Sequence, residues 1–133
     1  MSEQVTLCET NLPKTDNRLE DFKRTVQIYK NHFWDFYNSQ SVKVQDKIDW
    51  TIGLVRSLRI VPKIYFDHIT GTDGLWEIRT KVGSNIFRVF CCFDEGNLVV
   101  LLSGFQKKTQ KTAKKEIEKA ERLKKEYYDE KTK

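Results

Sequence analysis

The chain has 133 residues, 12% of them aromatic, and a formal net charge of +5. That length suits one domain with a modest core, and no apolar run approaches the roughly 18 residues of a membrane span. Three cysteines (Cys8, Cys91, Cys92), odd in number and without a CxxC pair, exclude a disulfide framework and a cysteine-based zinc site. His32 and His68 have no second ligand at metal spacing. The start lacks the basic-then-apolar plan of a secretory signal, so a reducing cytoplasm is expected.

Residues 1–22 are polar and weakly patterned, and are read as an N-terminal extension ahead of a domain spanning 23–133. The alternation at Val5 and Leu7 leaves a short strand open as the other reading. Thr25–Tyr29, TVQIY, is the first core strand. In His32–Tyr37, HFWDFY, Phe33, Phe36 and Tyr37 fall at helical spacing. Ser41 is an N-cap, and Val44, Ile48, Ile52, Val55 and Leu58 form the stripe of an amphipathic helix ending near Arg59, before Pro62. Asp46, Lys47, Asp49 and Arg56 fall off that stripe and are expected in solvent, and Trp50 is read as packing.

Residues 62–74 read as a loop. In Leu75–Val82, Trp76, Ile78, Thr80 and Val82 alternate with Glu77, Arg79 and Lys81, predicting a half-buried strand with one charged face. Ile86–Phe93, IFRVFCCF, is apolar on both faces except at Arg88 and is the central strand. Asp94–Asn97, DEGN, signals a hairpin into a third strand, Leu98–Leu102. Lys114–Tyr128 is a helix, lined by Ile117, Ala120, Leu123 and Tyr127. The element order predicts an α+β domain: an N-terminal strand and two helices, a three-stranded antiparallel meander, and a C-terminal helix.

The charge is segregated. Residues 1–102 carry 13 basic and 13 acidic side chains, whereas residues 103–133 carry 11 and 6. The excess gathers in Ser103–Lys115, SGFQKKTQKTAKK, which contains no carboxylate and implies an anionic partner. Arg88 is the second pointer, because an arginine within an apolar strand needs a carboxylate or a site. If the hairpin register sets Glu77 and Arg79 beside Arg88, with Lys107 and Lys108 closing the group, the cluster suits a phosphodiester. A Glu77–Arg88 ion pair among solvated lysines explains the same pattern.

Together, LWEIR, IFRVF, DEG and LVVLLSGFQKKTQKT followed by a basic helix resemble the HigB-like toxins, a Gp49-like, phage-derived branch of the RelE/ParE toxin–antitoxin superfamily. The resemblance covers about Thr25 to Tyr128. It implies a cytoplasmic, ribosome-dependent mRNA endoribonuclease, using no cofactor or metal and held inactive by an antitoxin of helix-turn-helix type. Its partners would be that antitoxin, the ribosome and mRNA, with no membrane. In such toxins the ribose 2′-hydroxyl attacks the adjacent phosphate, and the resemblance carries the basic roles onto Arg79, Arg88, Lys107 and Lys108. Fixed Arg and Lys groups would stabilise the charge gained by the phosphorane.

Glu77 is the expected acceptor of the 2′ proton, and a lysine lowered in pKa by neighbouring cations is the alternative. Gln106, Gln110, Lys111, Lys114 and Lys115 are the expected RNA- and ribosome-binding residues. The chain departs from the pattern in its N-terminal residues, at Ala113 where proline is expected, and at Cys91 and Cys92 where aromatics are common. The superfamily also includes gyrase poisons that cleave no RNA, so action on a protein target, or an inactive relic that only binds antitoxin, remain the alternative readings.

Overall fold

The computed structural model describes residues 22–108 and 114–132. It is an α+β fold in the order β1 (Thr25–Ile28), α1 (His32–Asn38), α2 (Val42–Ser57), β2 (Phe66–His68), β3 (Trp76–Val82), β4 (Asn85–Phe93), β5 (Leu98–Lys107) and α3 (Lys114–Lys131). The sheet order is β1-β5-β4-β3-β2; β1 runs parallel to β5, and the other pairings are antiparallel. No helix among the described residues is long and apolar enough to cross a membrane.

Two elements differ from the expected order. The loop read over 62–74 contains β2, whose Phe66, Asp67 and His68 pair with Ile78, Glu77 and Trp76. Phe66 is buried and stacks on Trp76 with ring centroids 4.9 Å apart. A three-residue strand is too short for an alternation to register, and this packing secures it instead. The third meander strand also runs on to Lys107 rather than ending at Leu102. The basic stretch therefore begins inside the sheet. The Val5–Leu7 strand reading lies outside the described residues.

The helices cover the two faces of the sheet unequally. On one face α1 and α2 pack over Ile78, Phe87, Val89, Cys91, Val99 and Leu101. Ser41 caps α2 by accepting from the Val44 backbone N–H. At its other end the Arg24 guanidinium donates to the carbonyls of Val55, Leu58 and Arg59, satisfying acceptors that a helix C-terminus leaves open. Gly104 lets α1 approach closely, since a Cβ there would lie 2.4 Å from the Phe36 ring.

On the other face α3 is anchored along its length, with Ile117 partly buried against the sheet near its start. Ala120, Leu123 and Tyr127 pack on Leu75, Phe90, Cys92, Val100 and Leu102. The Tyr127 hydroxyl donates to Asp94, the Tyr128 hydroxyl to the Phe93 carbonyl, and Tyr29 to Glu130 at 2.8 Å. The apolar stripe of α3 thus ends over one half of its face. The other half of the sheet surface carries charge.

Candidate functional site

The half of this face beyond the apolar stripe of α3 is built from the far ends of β3, β4 and β5. Gly83, at φ +60°, and Ser84 make the two-residue link between Val82 and Asn85, a backbone that glycine reaches without penalty. That link fixes the register, which sets Arg79 directly opposite Arg88 and Glu77 opposite Phe90. Period-2 alternation then puts Glu77, Arg79 and Lys81 on one face, together with Arg88.

The face adopted by β5 depends on an irregularity. Phe90 pairs with Ser103 while Cys91 pairs with Leu101, so Leu102 is an extra residue on β5. This β-bulge resets the alternation. Leu102 packs under α3, and beyond it Ser103, Phe105 and Lys107 share the face of Phe90, Arg88 and Ile86, their direct partners. Without the bulge, Gln106 would face the arginines and Lys107 would turn toward α1 and α2.

Glu77 is 4% exposed and forms the centre of the cluster. Its Oε1 lies 2.7 Å from Arg88 Nη1, and its Oε2 accepts from Arg79 Nε at 2.7 Å and lies 2.7 Å from Arg79 Nη2. Arg88 is itself buried, whereas about a third of the Arg79 side chain (35%) is exposed. The ion-pair reading of Glu77 and Arg88 is therefore correct as far as it goes, yet one carboxylate meets two guanidiniums. Lys107, half-exposed at the end of β5, is held below the ordinary lysine pKa by partial burial and then by the charges of Arg88 and Arg79, with Glu77 opposing. Among the described residues three cations thus feel the carboxylate of Glu77, and Lys81 adds a fourth cation to the same face.

The remaining expected residues separate from this group. Gln106 pairs with Phe87 and lies on the α1/α2 face. Lys108 is exposed just past the end of β5, and Lys114 and Lys115 are exposed in the first turn of α3, where Lys114 lies 4.0 Å from Glu118. Gln110 and Lys111 lie outside the described residues. His68 sits edge-on to Trp76 and takes no part in the cluster. Among the described residues, no three His, Cys, Asp or Glu side chains converge as a metal site requires.

A cavity of about 490 Å³ adjoins the arginines, and Lys47, Ile64, Tyr65 and Lys81 help to line it. Sequence reasoning missed these four as site residues. Lys81 was within reach, because it stands two residues beyond Arg79 on the same strand face. Lys47 was not, since leaving the apolar stripe of its helix says only that it avoids the core.

The family described as phage derived protein Gp49-like (DUF891) matches residues 35–125. The chain belongs to the Gp49-like family. This is a family of toxins from type II toxin–antitoxin systems, so a Gp49-like chain implies a cognate antitoxin partner. None of the curated proteins matches it. The Gp49-like match begins in α1 and ends within α3, and so includes every residue of the charged cluster.

Proposed function

We propose that this protein is a HigB/RelE-type toxin that cleaves mRNA on the ribosome and so blocks translation. The observation that carries the reading is the gathering of cations around Glu77. Among the described residues, Arg79, Arg88 and Lys107 converge around the one carboxylate of Glu77, a positively charged group that a phosphodiester fits.

In this reaction the ribose 2′-oxygen attacks the adjacent phosphorus, the bond to the 5′-oxygen breaks, and a cyclic phosphate remains on the upstream fragment. Arg79 and Arg88 hold the non-bridging oxygens as negative charge develops on the phosphorane. Both oxygens of Glu77 are engaged by guanidiniums, which disfavours it as a base. It acts as a positioning residue that locks the two arginines into one geometry. Lys107 is the better candidate to take the 2′ proton, because its lowered pKa raises the neutral fraction of the amine near pH 7. The departing 5′-oxygen takes a proton from solvent. Lys108, Lys114 and Lys115 lie outside this geometry and serve as docking charges toward ribosomal RNA, with about 4–6 phosphate contacts making binding steeply salt-dependent.

Induction of the protein followed by mapping of RNA 5′ ends tests the reading. New 5′-hydroxyl ends within translated messages are expected, absent for Lys107→Ala. Intact transcripts with accumulating DNA breaks would overturn it in favour of a topoisomerase target.

A further inference from the structure

The cavity beside the arginines does not end at the sheet. Lys47 and Lys81, which line it with Tyr65, also line a second cavity of about 600 Å³ together with Lys43, Asp46 and Trp50. Positions 43, 46, 47 and 50 recur on one side of α2. The two cavities share Lys47 and Lys81 and lie side by side at the edge of β3, where together they outline a groove. Strand β2 pairs only with Trp76–Ile78, and the last link across that edge is the Arg79 N–H donating to the Tyr65 carbonyl at 2.8 Å. Thr80–Val82 therefore have no strand neighbour on that side among the described residues.

The groove has the chemistry of a single-strand binding path. Lys43 and Lys81 are exposed, Lys47 and Trp50 half-buried, and Asp46 is the single carboxylate in the lining of either cavity. Trp50 sits edge-to-face with Tyr65 at 5.6 Å, and the Lys47 ammonium lies 4.2 Å from the Trp50 ring centroid. A half-buried tryptophan whose ring carries a mobile lysine head can offer that face to a planar ligand once the lysine moves aside. Aromatic faces spaced between cations hold single strands with little sequence preference, and a flexible single strand turns around a sheet edge where a stiff duplex does not.

We infer that this groove binds single-stranded RNA flanking the scissile phosphate. One base stacks on Trp50, displacing Lys47 from the ring, and Lys43, Lys47 and Lys81 meet the backbone phosphates. The inference rests on the nuclease reading for the location of the scissile phosphate. An acidic protein segment would also satisfy the three lysines but would leave the Trp50 face unused.

The test measures binding of RNA oligonucleotides carrying a 2′-deoxy substitution at the scissile position, so that cleavage plays no part. In the full-length protein, three extra nucleotides on one side of the scissile phosphate should tighten binding about tenfold, in line with one stacked base. Trp50→Leu should remove that gain and Trp50→Tyr should keep most of it. Lys43→Gln with Lys47→Gln, both on the helix surface, should lower the slope of log affinity against log salt by about 1.4. Thermal melts of each variant separate loss of binding from loss of fold.

Equal binding of short and extended RNA overturns the inference. So does a variant set that binds RNA like the wild type but loses affinity for the antitoxin, which would mark the groove as a protein-docking surface. If the protein cuts no message on ribosomes yet still shows the length and Trp50 dependence, the groove stands and the nuclease reading fails.

Discussion

Two carboxylates are buried on opposite sides of the same sheet, and their partners differ. Asp49, on α2, is 5% exposed, and both its oxygens lie 3.0 Å from the Tyr37 hydroxyl of α1. Its pKa is raised, chiefly by burial, with the Tyr37 hydrogen bond opposing and the charge of Asp46 adding. Glu77, equally buried, is instead held by two guanidiniums with a lysine nearby. A neutral phenol is enough where the carboxylate only joins two helices. Among the described residues three cations surround that one carboxylate, and they lie beyond the apolar stripe of α3. The contrast separates a charge buried for structure from a charge group arranged toward a ligand.

The largest effect expected from this contrast is on stability. Arg88→Ala leaves Glu77 buried against Arg79 alone and should cost about 3–5 kcal/mol in denaturant unfolding. Glu77→Leu combined with Arg88→Met should recover most of that loss, since an apolar pair of similar volume avoids the buried charge, but should not restore cleavage. An Arg88→Ala protein as stable as the wild type would break the comparison.

Next is Arg79→Ala, where the side chain is partly solvated. Stability should change by about 1 kcal/mol or less, while single-turnover cleavage on ribosomes falls about 10²–10³-fold through loss of a phosphorane contact. Loss of fold without loss of rate would assign Arg79 to structure. Tyr37→Phe should do the opposite. Removing the donor from buried Asp49 should cost about 1–3 kcal/mol with the cleavage rate unchanged. A slower rate at equal occupancy of the folded state would show that the two carboxylates are coupled.

The smallest effect is a displacement of the pH–rate profile. If Lys107 works as the neutral amine, the rate rises with pH and levels once the amine is deprotonated. Arg79 lowers that pKa and Glu77 raises it. Arg79→Gln should therefore move the rising limb to higher pH, and Glu77→Gln should move it to lower pH. Residual rates measured across pH 6 to 10 check the sign, and a limb that neither variant moves would remove Lys107 from the role of base.

Much of this contrast was legible along the chain. The alternation in β3 placed Glu77 and Arg79 on one face, and Arg88 within IFRVFCCF required either a carboxylate or a site. The stripe from Val44 to Val55 located α2, and DEGN located the hairpin. Asp49 was misread as solvated because it falls outside that stripe. Its burial comes from Tyr37 on another helix, a contact that a helix read alone does not contain. Strand β2 was missed because three residues carry no measurable period.

The alternation of residue types along the chain determined the α+β class, the charged face of β3, and the gathering of unopposed lysines behind the last strand. Only the tertiary structure decided which of those lysines meets the arginines. The sequence pattern treats Lys107 and Lys108 as a pair and Gln106 as their neighbour. The extra Leu102 opposite the Phe90–Cys91 step rotates the end of β5, so that Lys107 joins Arg79 and Arg88 while Gln106 turns to the other face. A bulge is a property of two strands in register, set by how β5 packs on β4 beneath α3. No single strand carries that information in its own sequence.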